Sequence, residues 1–160
     1  MEASRPANAA DVARIVALAL DLRSEVAAFR GSAIWTVREA RPEPLEDAYL
    51  ALIETPDAHV LVGTIDDVVL GFGVAEIERL HDGRLLGTVT DLYVEPGARE
   101  IGLGEAMVED LVAHLTQRGC VGIDALAFPG DRHTKNFFEE QGFVSRLIVA
   151  HKPLASGEGG

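Results

Sequence analysis

The chain has 160 residues, of which 48% are hydrophobic and 25% charged, so global disorder is excluded and the length suits one domain of ordinary size. Its 26 acidic and 14 basic residues give a formal net charge of −12. That charge disfavours nucleic acid and anionic membrane surfaces as partners and favours cationic ones such as amines, unless the acidic excess only maintains solubility. The single cysteine excludes an internal disulfide and a zinc site of several thiolates, and the five histidines lack metal-ligand spacing, so no metal is expected.

The first predicted element is an amphipathic helix over residues 11–29, because apolar side chains recur there at three- and four-residue spacings. Asp11 suits the N-cap position of this helix. Charged residues interrupt its apolar ones and no basic segment precedes them, so neither a signal peptide nor a membrane span is predicted and a cytoplasmic protein is expected. Residues 31–44 are predicted to form a loop, and residues 45–54 a short helix that Pro56 ends.

Three apolar runs separated by short turns predict three strands, over residues 58–65, 68–77 and 85–94. Asp66 and Asp67 separate the first two strands by a turn short enough for a tight hairpin. Consecutive strands joined in this way form an antiparallel meander. Gly71 and Gly73 lie inside the second strand, which indicates a bulge or a close approach of another backbone.

The second half of the chain predicts a helix ended by Gly119, then further elements in the order strand 120–128, helix 134–141, strand or hairpin arm 143–154 and flexible tail 155–160. The strand–helix–strand unit over residues 85–128 is predicted to be a right-handed parallel crossover. The fold class is therefore α/β, a single mixed-sheet domain over residues 1–154 in which an antiparallel meander is followed by the crossover, with no internal repeat.

The segment most informative about function joins the third strand to the long helix and reads VEPGAREIGLG over residues 94–104. The first amides of a helix have no internal partners and favour anions, and glycine at 102 and 104 gives a phosphate group access to them. The segment lacks the Gly-Lys-Ser/Thr of a P-loop, and Met107 stands where a dinucleotide fingerprint needs its third glycine. A second interpretation is that the two glycines only let the helix pack closely on the sheet.

The string REIGLG has the form Arg/Gln-x-x-Gly-x-Gly/Ala, and it follows a strand ending Leu-Tyr-Val and precedes a helix, a strand and the string FFEEQGF. This combination resembles the GNAT superfamily of acyl-CoA-dependent N-acyltransferases. The resemblance covers the element order of the whole chain, and its specific motifs cover residues 88–143. It implies a splayed sheet that clamps the pantetheine arm of acetyl-CoA, which acts as cosubstrate.

By position, the resemblance implies that the backbone amide of Leu92 holds the thioester carbonyl and that Val94 bonds to the pantetheine. The amides from Arg99 to Gly104 would hold the pyrophosphate. The full set of cofactor-binding positions that the resemblance implies is Leu92, Tyr93, Val94, Arg99, Glu100, Ile101, Gly102, Leu103, Gly104, Asp131 and Phe138. A fixed N–H on the thioester oxygen would stabilise the oxyanion that forms when an amine attacks directly.

The chain departs from the family at the general base. Members often carry a glutamate at the positions of Thr88 or Thr90, and both are threonine here. The remaining candidates for the base are Glu76, Glu78 and Asp91, with the two glutamates favoured. Because side chains alternate along a strand, Asp91 is expected to point away from the two threonines unless a bulge re-aims it. Each candidate is alternatively a solvated strand carboxylate.

The usual general acid of the family is a tyrosine at the position of Phe138, whose phenyl ring cannot donate a proton. Tyr93 substitutes for it only if its side chain points into the cleft; otherwise the thiolate leaves unaided or takes a proton from water. Asp131 stands where an asparagine is common. The charged residues that follow either reach the phosphates of the cofactor or are solvated, and they are Arg132, His133 and Lys135.

Trp35, Arg38 and Arg41 fall in the variable region that commonly shapes the acceptor pocket in this superfamily. The two arginines are candidates for gripping a carboxylate on the acceptor, unless the segment is simply an exposed loop. Cys120 is predicted to be a buried small hydrophobe rather than a nucleophile.

The leading functional hypothesis is an N-acetyltransferase that moves an acetyl group from acetyl-CoA to a primary amine. The alternative is a catalytically impaired acyl-CoA sensor or partner subunit, which Thr88, Thr90 and Phe138 favour. A purely structural domain conflicts with the glycines at the helix start. A homodimer is common in the superfamily, whereas the identity of the acceptor stays open among small amines, aminoglycosides, amino acids and protein amines.

Overall fold

Helices cover both faces of a five-stranded sheet in the computed structural model, which describes residues 1–155. Numbered in chain order, its strands and helices are β1 (Glu2–Pro6), α1 (Val12–Val26), α2 (Ser32–Arg38), α3 (Leu45–Ile53), β2 (Ala58–Ile65), β3 (Val68–Arg79), β4 (Leu85–Val94), α4 (Leu103–Gln117), β5 (Cys120–Ala125) and α5 (Arg132–Glu140). Two short 3-10 turns, Ala9–Asp11 and Pro96–Ile101, precede α1 and α4.

The sheet has the order β1-β2-β3-β4-β5, with antiparallel pairing throughout β1 to β4 and parallel pairing of β4 with β5. The predicted α/β class and the single mixed sheet are confirmed. The β2–β3 hairpin turns on Asp66 and Asp67, whose φ angles of 48° and 68° match the tight turn that the twist of paired strands favours. The chain from β4 through α4 to β5 is the predicted parallel crossover, and its right-handedness stays a prediction.

The two faces of the sheet carry different apolar clusters. On one face α1 and α3 pack with β2 and β3 around fully buried side chains such as Ile15 and Phe72. On the other face α4 packs on the sheet through Leu103, Met107 and Leu111, together with Ala98 of the turn before it. Each helix buries the stripe that its three- and four-residue spacing brings together.

The helix α4 lies very close to the sheet because glycines face it. A Cβ at Gly63 would lie 2.7 Å from the Met107 sulfur, and one at Gly71 would lie 2.9 Å from the Tyr93 carbonyl oxygen. The close approach predicted for Gly71 is thus present, next to a register shift between β2 and β3. At Gly73 a Cβ would meet only ordinary contacts, from 3.4 Å outward.

Several predicted elements differ from the structure near the N-terminus. Strand β1 was missed; it is held by pairing with β2 rather than by an apolar pattern of its own. The predicted loop over residues 31–44 contains helix α2, a short helix whose Trp35 packs edge-on against Phe128 at 5.5 Å between ring centroids. The Asp11 side chain makes no cap bond to α1; instead it accepts from Asn8 N and pairs with Arg5 at 2.8 Å.

The largest error concerns the predicted last strand. Within the described chain, residues 143–154 form no strand, and Val144 and Ile148 are each 85% exposed. An apolar run becomes a strand only where a neighbour pairs with it. Here Phe143 is tied to Phe138 of α5, and Arg146 forms an ion pair with Asp124 on β5, but neither contact is a strand ladder. Strand β5 also ends at Ala125 rather than 128. The predicted tail lies outside the described residues except for Ala155.

Candidate active site

The sheet opens between β4 and β5. These strands pair only from Leu85–Cys120 to Val89–Ala125, and within residues 1–155 no strand pairs with the last part of β4 on that side. The result is a gap beside residues 90–94, which is the splayed sheet that the family resemblance implied.

The backbone groups that face this gap follow from the β3–β4 ladder. In an antiparallel pair, the N–H and C=O groups of successive residues point alternately toward the partner and away from it. Glu95 donates its N–H to the Leu70 oxygen at 2.9 Å, so Leu92 and Val94 present theirs to the gap. The Val94 oxygen accordingly accepts a hydrogen bond from Arg99 Nε at 2.8 Å, on the side away from β3.

At the end of the gap, helix α4 begins with free amides. Gly102 precedes it with a φ of 88°, a left-handed conformation that glycine adopts without strain, and Ala106 is the first residue to donate back to Gly102, at 3.0 Å. The amides of the first helical turn therefore have no acceptor within the helix. A cleft of about 430 Å³ adjoins the preceding turn and is lined by Pro96, Gly97, Arg99, Glu100, Ile101 and His133.

The two glycines at this helix start have different structural reasons. At Gly102 there is space for a side chain, since the nearest atom to a Cβ would be a Glu2 oxygen at 3.8 Å. Glycine is favoured there because the backbone is left-handed. A Cβ on Gly104 would touch the Phe137 ring at 3.4 Å, so this glycine also serves the packing of α5 on α4. The interpretation in which glycine serves packing therefore has support at Gly104.

The Arg99 side chain reaches Glu25 at the end of α1. It makes a two-point ion pair with Glu25, with N–O distances of 2.8 and 2.6 Å, and its guanidinium lies 5.2 Å from the centre of the Tyr93 ring. The hydrogen bonds from Arg99 lower the pKa of Glu25. Burial, and then the charge of Glu25, raise the pKa of Tyr93, whose side chain is packed within the α1 cluster.

A bulge in β4 changes the predicted direction of Asp91. The register passes from Val74–Asp91 to Ala75–Val89, which leaves Thr90 as the extra residue. Thr90 Oγ1 donates to Asp91 Oδ1 at 2.8 Å, and both side chains line a small space together with residues of α1 and α3. The bulge foreseen as the exception is thus present, and it brings Asp91 to the side of Thr90.

Arg41 joins these side chains into one network. Its guanidinium donates to Glu76 Oε2 and to Asp91 Oδ1, both at 2.9 Å, and to Thr90 Oγ1. Tyr49 donates to the other Asp91 oxygen at 2.6 Å. Burial would lower the pKa of Arg41, but Asp91 and Glu76 reverse that effect and raise it. Burial, and next the Asp91 charge, raise the pKa of Tyr49.

The network separates the three carboxylates considered for the base. Asp91 accepts from Arg41, Thr90 and Tyr49 and is 10% exposed, so its lone pairs are largely occupied. Glu76 gives one oxygen to Arg41 and its side chain is 40% exposed. Glu78 lies one pleat further from the gap, opposite Leu86, and is exposed.

The remaining predicted positions lie around α5. Phe138 is buried between Phe137 and Phe143, with ring centroids at 5.5 and 5.2 Å. Asp131 accepts from the Thr134 amide at 3.2 Å and so caps the helix. His133 lines the cleft, whereas Arg132 and Lys135 are exposed. Cys120 is half-buried in the α4 cluster, and its burial raises the pKa of its thiol.

Three participants had no signal in the sequence: Tyr49, Glu25 and Phe128. In the sequence, Tyr49 cannot be told from the other apolar residues of α3, and Glu25 cannot be told from a solvated charge on a helix. Phe128 stacks on Phe29 at 6.2 Å and meets Trp35, so the chain after β5 contacts the α1–α2 region. Only the tertiary structure brings these side chains together.

None of the helices within residues 1–155 has the length and apolar character that crossing a membrane requires. In the same part of the chain, no three or more His, Cys, Asp or Glu side chains are grouped so that they could hold a metal ion.

A mixed sheet that opens beside β4, with a glycine-led helix start at the end of the opening, defines the fold class of the N-acetyltransferases. The family model described as "Acetyltransferase (GNAT) family" matches residues 26–143, and the chain belongs to that family. No curated protein sequence matches the chain.

Solved structures share the fold at low sequence identity. A transcriptional regulator from Bacillus halodurans C-125 is similar with a TM-score of 0.74 and 16% identity, covering 96% of this chain and 100% of its own. Glucosamine-6-phosphate N-acetyltransferase from Arabidopsis thaliana has a TM-score of 0.71 and 19% identity, covering 95% of this chain and 97% of its own. An acetyltransferase from Trypanosoma brucei has a TM-score of 0.68 and 18% identity, covering 96% of this chain and 100% of its own. These likenesses concern the fold alone.

Proposed function

We propose that the protein transfers an acetyl group from acetyl-CoA to a primary amine by direct attack of the amine on the thioester. Membership of the acetyltransferase family supports acetyl transfer in general. The observation that carries the finer proposal is the free edge of β4 beside the amide-lined start of α4, since together they offer N–H groups to a thioester at one end and to phosphates at the other.

In this proposal the Leu92 amide holds the thioester oxygen, Val94 bonds to the pantetheine, and the amides around Gly102 hold the pyrophosphate. The Arg99 side chain is already paired with Glu25, so backbone amides and His133 carry most of the attraction for the anionic cofactor. Fixed amides need no reorganisation when charge develops on the thioester oxygen, which is why they stabilise the transition state.

Glu76 is the base that we propose, because among Glu76, Glu78 and Asp91 it lies nearer the gap than Glu78 and is more exposed than Asp91. The amine nitrogen attacks the thioester carbon, its proton passes to Glu76 directly or through water, and the carbon–sulfur bond breaks to release the CoA thiolate. Phe138 carries no proton and Tyr93 faces α1. Solvent therefore protonates the thiolate, whose free-thiol pKa of about 8.5 makes it an adequate leaving group.

The test is calorimetric titration with acetyl-CoA, together with a thiol-release assay over a panel of primary amines. We expect binding and amine-dependent thiol release. Gly102→Asn should weaken acetyl-CoA binding at least about tenfold, because Asn tolerates a positive φ and its side chain obstructs the amides. Gly83→Asn is the matched control, since Gly83 has the same φ of 88° and no atom near its Cβ. Equal affinities of the two variants would refute the phosphate assignment.

A second candidate function, an acyl-CoA sensor without catalysis, is favoured by the buried phenyl ring of Phe138 where the family has its proton donor. It predicts acetyl-CoA binding with no thiol release on any amine. Thiol release that depends on an amine would exclude it.

A second copy of this chain is the partner that we propose for residues 143–154. Val144 and Ile148 are exposed there, the outer edge of β5 has no strand partner within residues 1–155, and Lys152 adds a cation in a chain of net charge −12. Light scattering after gel filtration should show a dimer that Ile148→Glu dissociates; a wild-type monomer would refute the proposal.

The cytoplasm is the compartment that we propose, because acetyl-CoA is the cosubstrate.

A further inference from the structure

Arg41 occupies the acceptor side of the site as a buried cation. Its side chain is 13% exposed, and its carbonyl oxygen accepts a hydrogen bond from Arg23 at 2.5 Å, which holds the backbone in place. With Arg41 present, the space between α1, α2, α3 and β4 has room for about one water molecule, roughly 10 Å³. A buried guanidinium requires close anionic partners, and Glu76 and Asp91 provide them.

This arrangement disfavours the role considered from the sequence, in which Arg38 and Arg41 grip a carboxylate on the acceptor. Both terminal nitrogens of Arg41 already donate to Glu76, Asp91 and Thr90. Arg38 is 75% exposed and pairs with its neighbour Glu39 at 3.1 Å. An acceptor carboxylate arriving beside Glu76 would therefore meet a carboxylate rather than a free guanidinium.

The charge count of the network defines what it attracts. Glu76 and Asp91 contribute −2 and Arg41 contributes +1, so the three hydrogen-bonded side chains have a net charge of −1; Arg23 lines the same space as a further cation, bonded to the Arg41 backbone rather than to the carboxylates. Glu76 is their most accessible member, at 40% exposed against 10% for Asp91 and 13% for Arg41. The negative charge is thus presented at Glu76, three residues along β3 from Gly73, which pairs with Leu92, where the proposed thioester would lie.

We propose that Arg41 is a specificity-determining residue for the acceptor: it neutralises one of the two carboxylates and so sets the acceptor side to receive a single ammonium group. This inference rests on the proposed acetyl transfer and names its substrate class as monocationic primary amines without a carboxylate near the amine. Arg41 acts through the charge of Glu76 and Asp91, so it is a positioning residue and takes no proton.

The test compares three acceptors of equal chain length: butylamine, 1,4-diaminobutane and 4-aminobutanoate. The wild-type protein should use butylamine well and 4-aminobutanoate poorly. In Arg41→Gln the network has a charge of −2, and the ratio of kcat/KM for the diamine to that for butylamine should rise about tenfold. A purely structural role would lower both rates and leave this ratio unchanged.

Three variants make the result specific to charge. Arg41→Gln combined with Asp91→Asn restores a net charge of −1, so the ratio should return to the wild-type value. Glu76→Gln gives a net charge of zero, so the ratio should fall below the wild-type value. Loss of the base lowers the rate with both acceptors, so it does not affect their ratio. Arg38→Gln is the matched control from the same segment and should leave the ratio unchanged.

Calorimetric binding of acetyl-CoA to each variant separates the outcomes. If the wild-type protein binds no acetyl-CoA, the proposed function fails whatever the ratios are. If acetyl-CoA binds but none of the probes reacts, the same ratios are measured as dissociation constants in the presence of CoA. If Arg41→Gln does not fold, the double variant and Glu76→Gln carry the test. An unchanged ratio in the folded variants, or loss of a wild-type preference for 4-aminobutanoate on changing Arg41, would overturn the proposal.

Discussion

The two faces of the sheet are built by different means. The α4 face has an apolar cluster, and glycines at 63, 71 and 87 let the helix approach the strands closely. The face of α1 and α3 contains the buried network of Arg41, Asp91 and Tyr49 beside its apolar cluster. The comparison teaches that the α4 face depends on close packing against glycines, whereas the face of α1 and α3 also depends on paired charges.

The largest effect is expected on the charged face. Asp91→Ala should reduce the free energy of unfolding by about 3–5 kcal/mol, because it leaves Arg41 buried with only Glu76 as an anionic partner and removes the acceptor of Tyr49. Urea unfolding followed by circular dichroism measures the change. Asp47→Ala, on the exposed side of α3, is the control and should stay within about 0.5 kcal/mol of wild type. A loss below 1 kcal/mol for Asp91→Ala would show that the network does not stabilise this face.

The next effect concerns close packing on the α4 face. Gly63→Ala should destabilise by about 1–3 kcal/mol, since its Cβ would lie 2.7 Å from the Met107 sulfur and 2.9 Å from a Leu103 methyl carbon. Gly73→Ala, whose Cβ meets contacts from 3.4 Å, is the matched control on the next strand. Denaturant midpoints of the two variants measure the difference. Equal stabilities would mean that the glycines do not set the distance of the helix.

A smaller effect concerns the ion pair between Glu25 on α1 and Arg99 in the turn before α4. Glu25→Gln removes the partner of Arg99 and one negative charge near the turn Pro96–Ile101, so acetyl-CoA should bind several times more tightly. Stability should change by no more than about 1 kcal/mol, because the pair is partly exposed. Calorimetry with Glu39→Gln as the control measures this. Weaker binding would indicate that the ion pair shapes the cleft.

The smallest effect is a pH dependence on the α4 face. His114 stacks on His59 at 4.0 Å between ring centroids, and Asp110 and Arg118 flank it. Burial first, then the charges of His59 and Arg118, lower the pKa of His114, against an opposing effect of Asp110. The folded state therefore binds this proton less readily than the unfolded state, and stability falls as pH drops from about 6.5 toward the lowered value.

His114→Gln should flatten this part of the stability curve, measured as melting temperature between pH 7.5 and 5.5. Asp11 and Asp124 also have lowered pKa values, but as carboxylates they titrate below this window. If the melting temperature of His114→Gln changed with pH as steeply as that of the wild type, another group would be responsible for the pH dependence.

The contrast between the faces also explains what the sequence alone could predict. The helix α4, the meander and the glycine-led helix start have local signals, namely spacing, turn residues and a motif, and these elements are present. Strand β1, the direction of Asp91 and the pairing of Arg41 depend on contacts between distant segments and on one extra residue in β4. The apolar run at 143–154 was predicted to be a strand, and this was wrong because a strand also needs a neighbouring strand to pair with, which the run itself does not reveal.

The most direct test of the central claim is a titration of the ¹⁵N-labelled protein with acetyl-CoA, followed by amide chemical shifts. If the opened edge of β4 and the start of α4 hold the cofactor, the largest shifts will fall on the amides of Leu92, Val94, Gly102 and Leu103. Val62 and Val74, inside the paired part of the sheet, will move little. Saturable binding with the largest shifts elsewhere, and none at Leu92 or Gly102, would contradict the account.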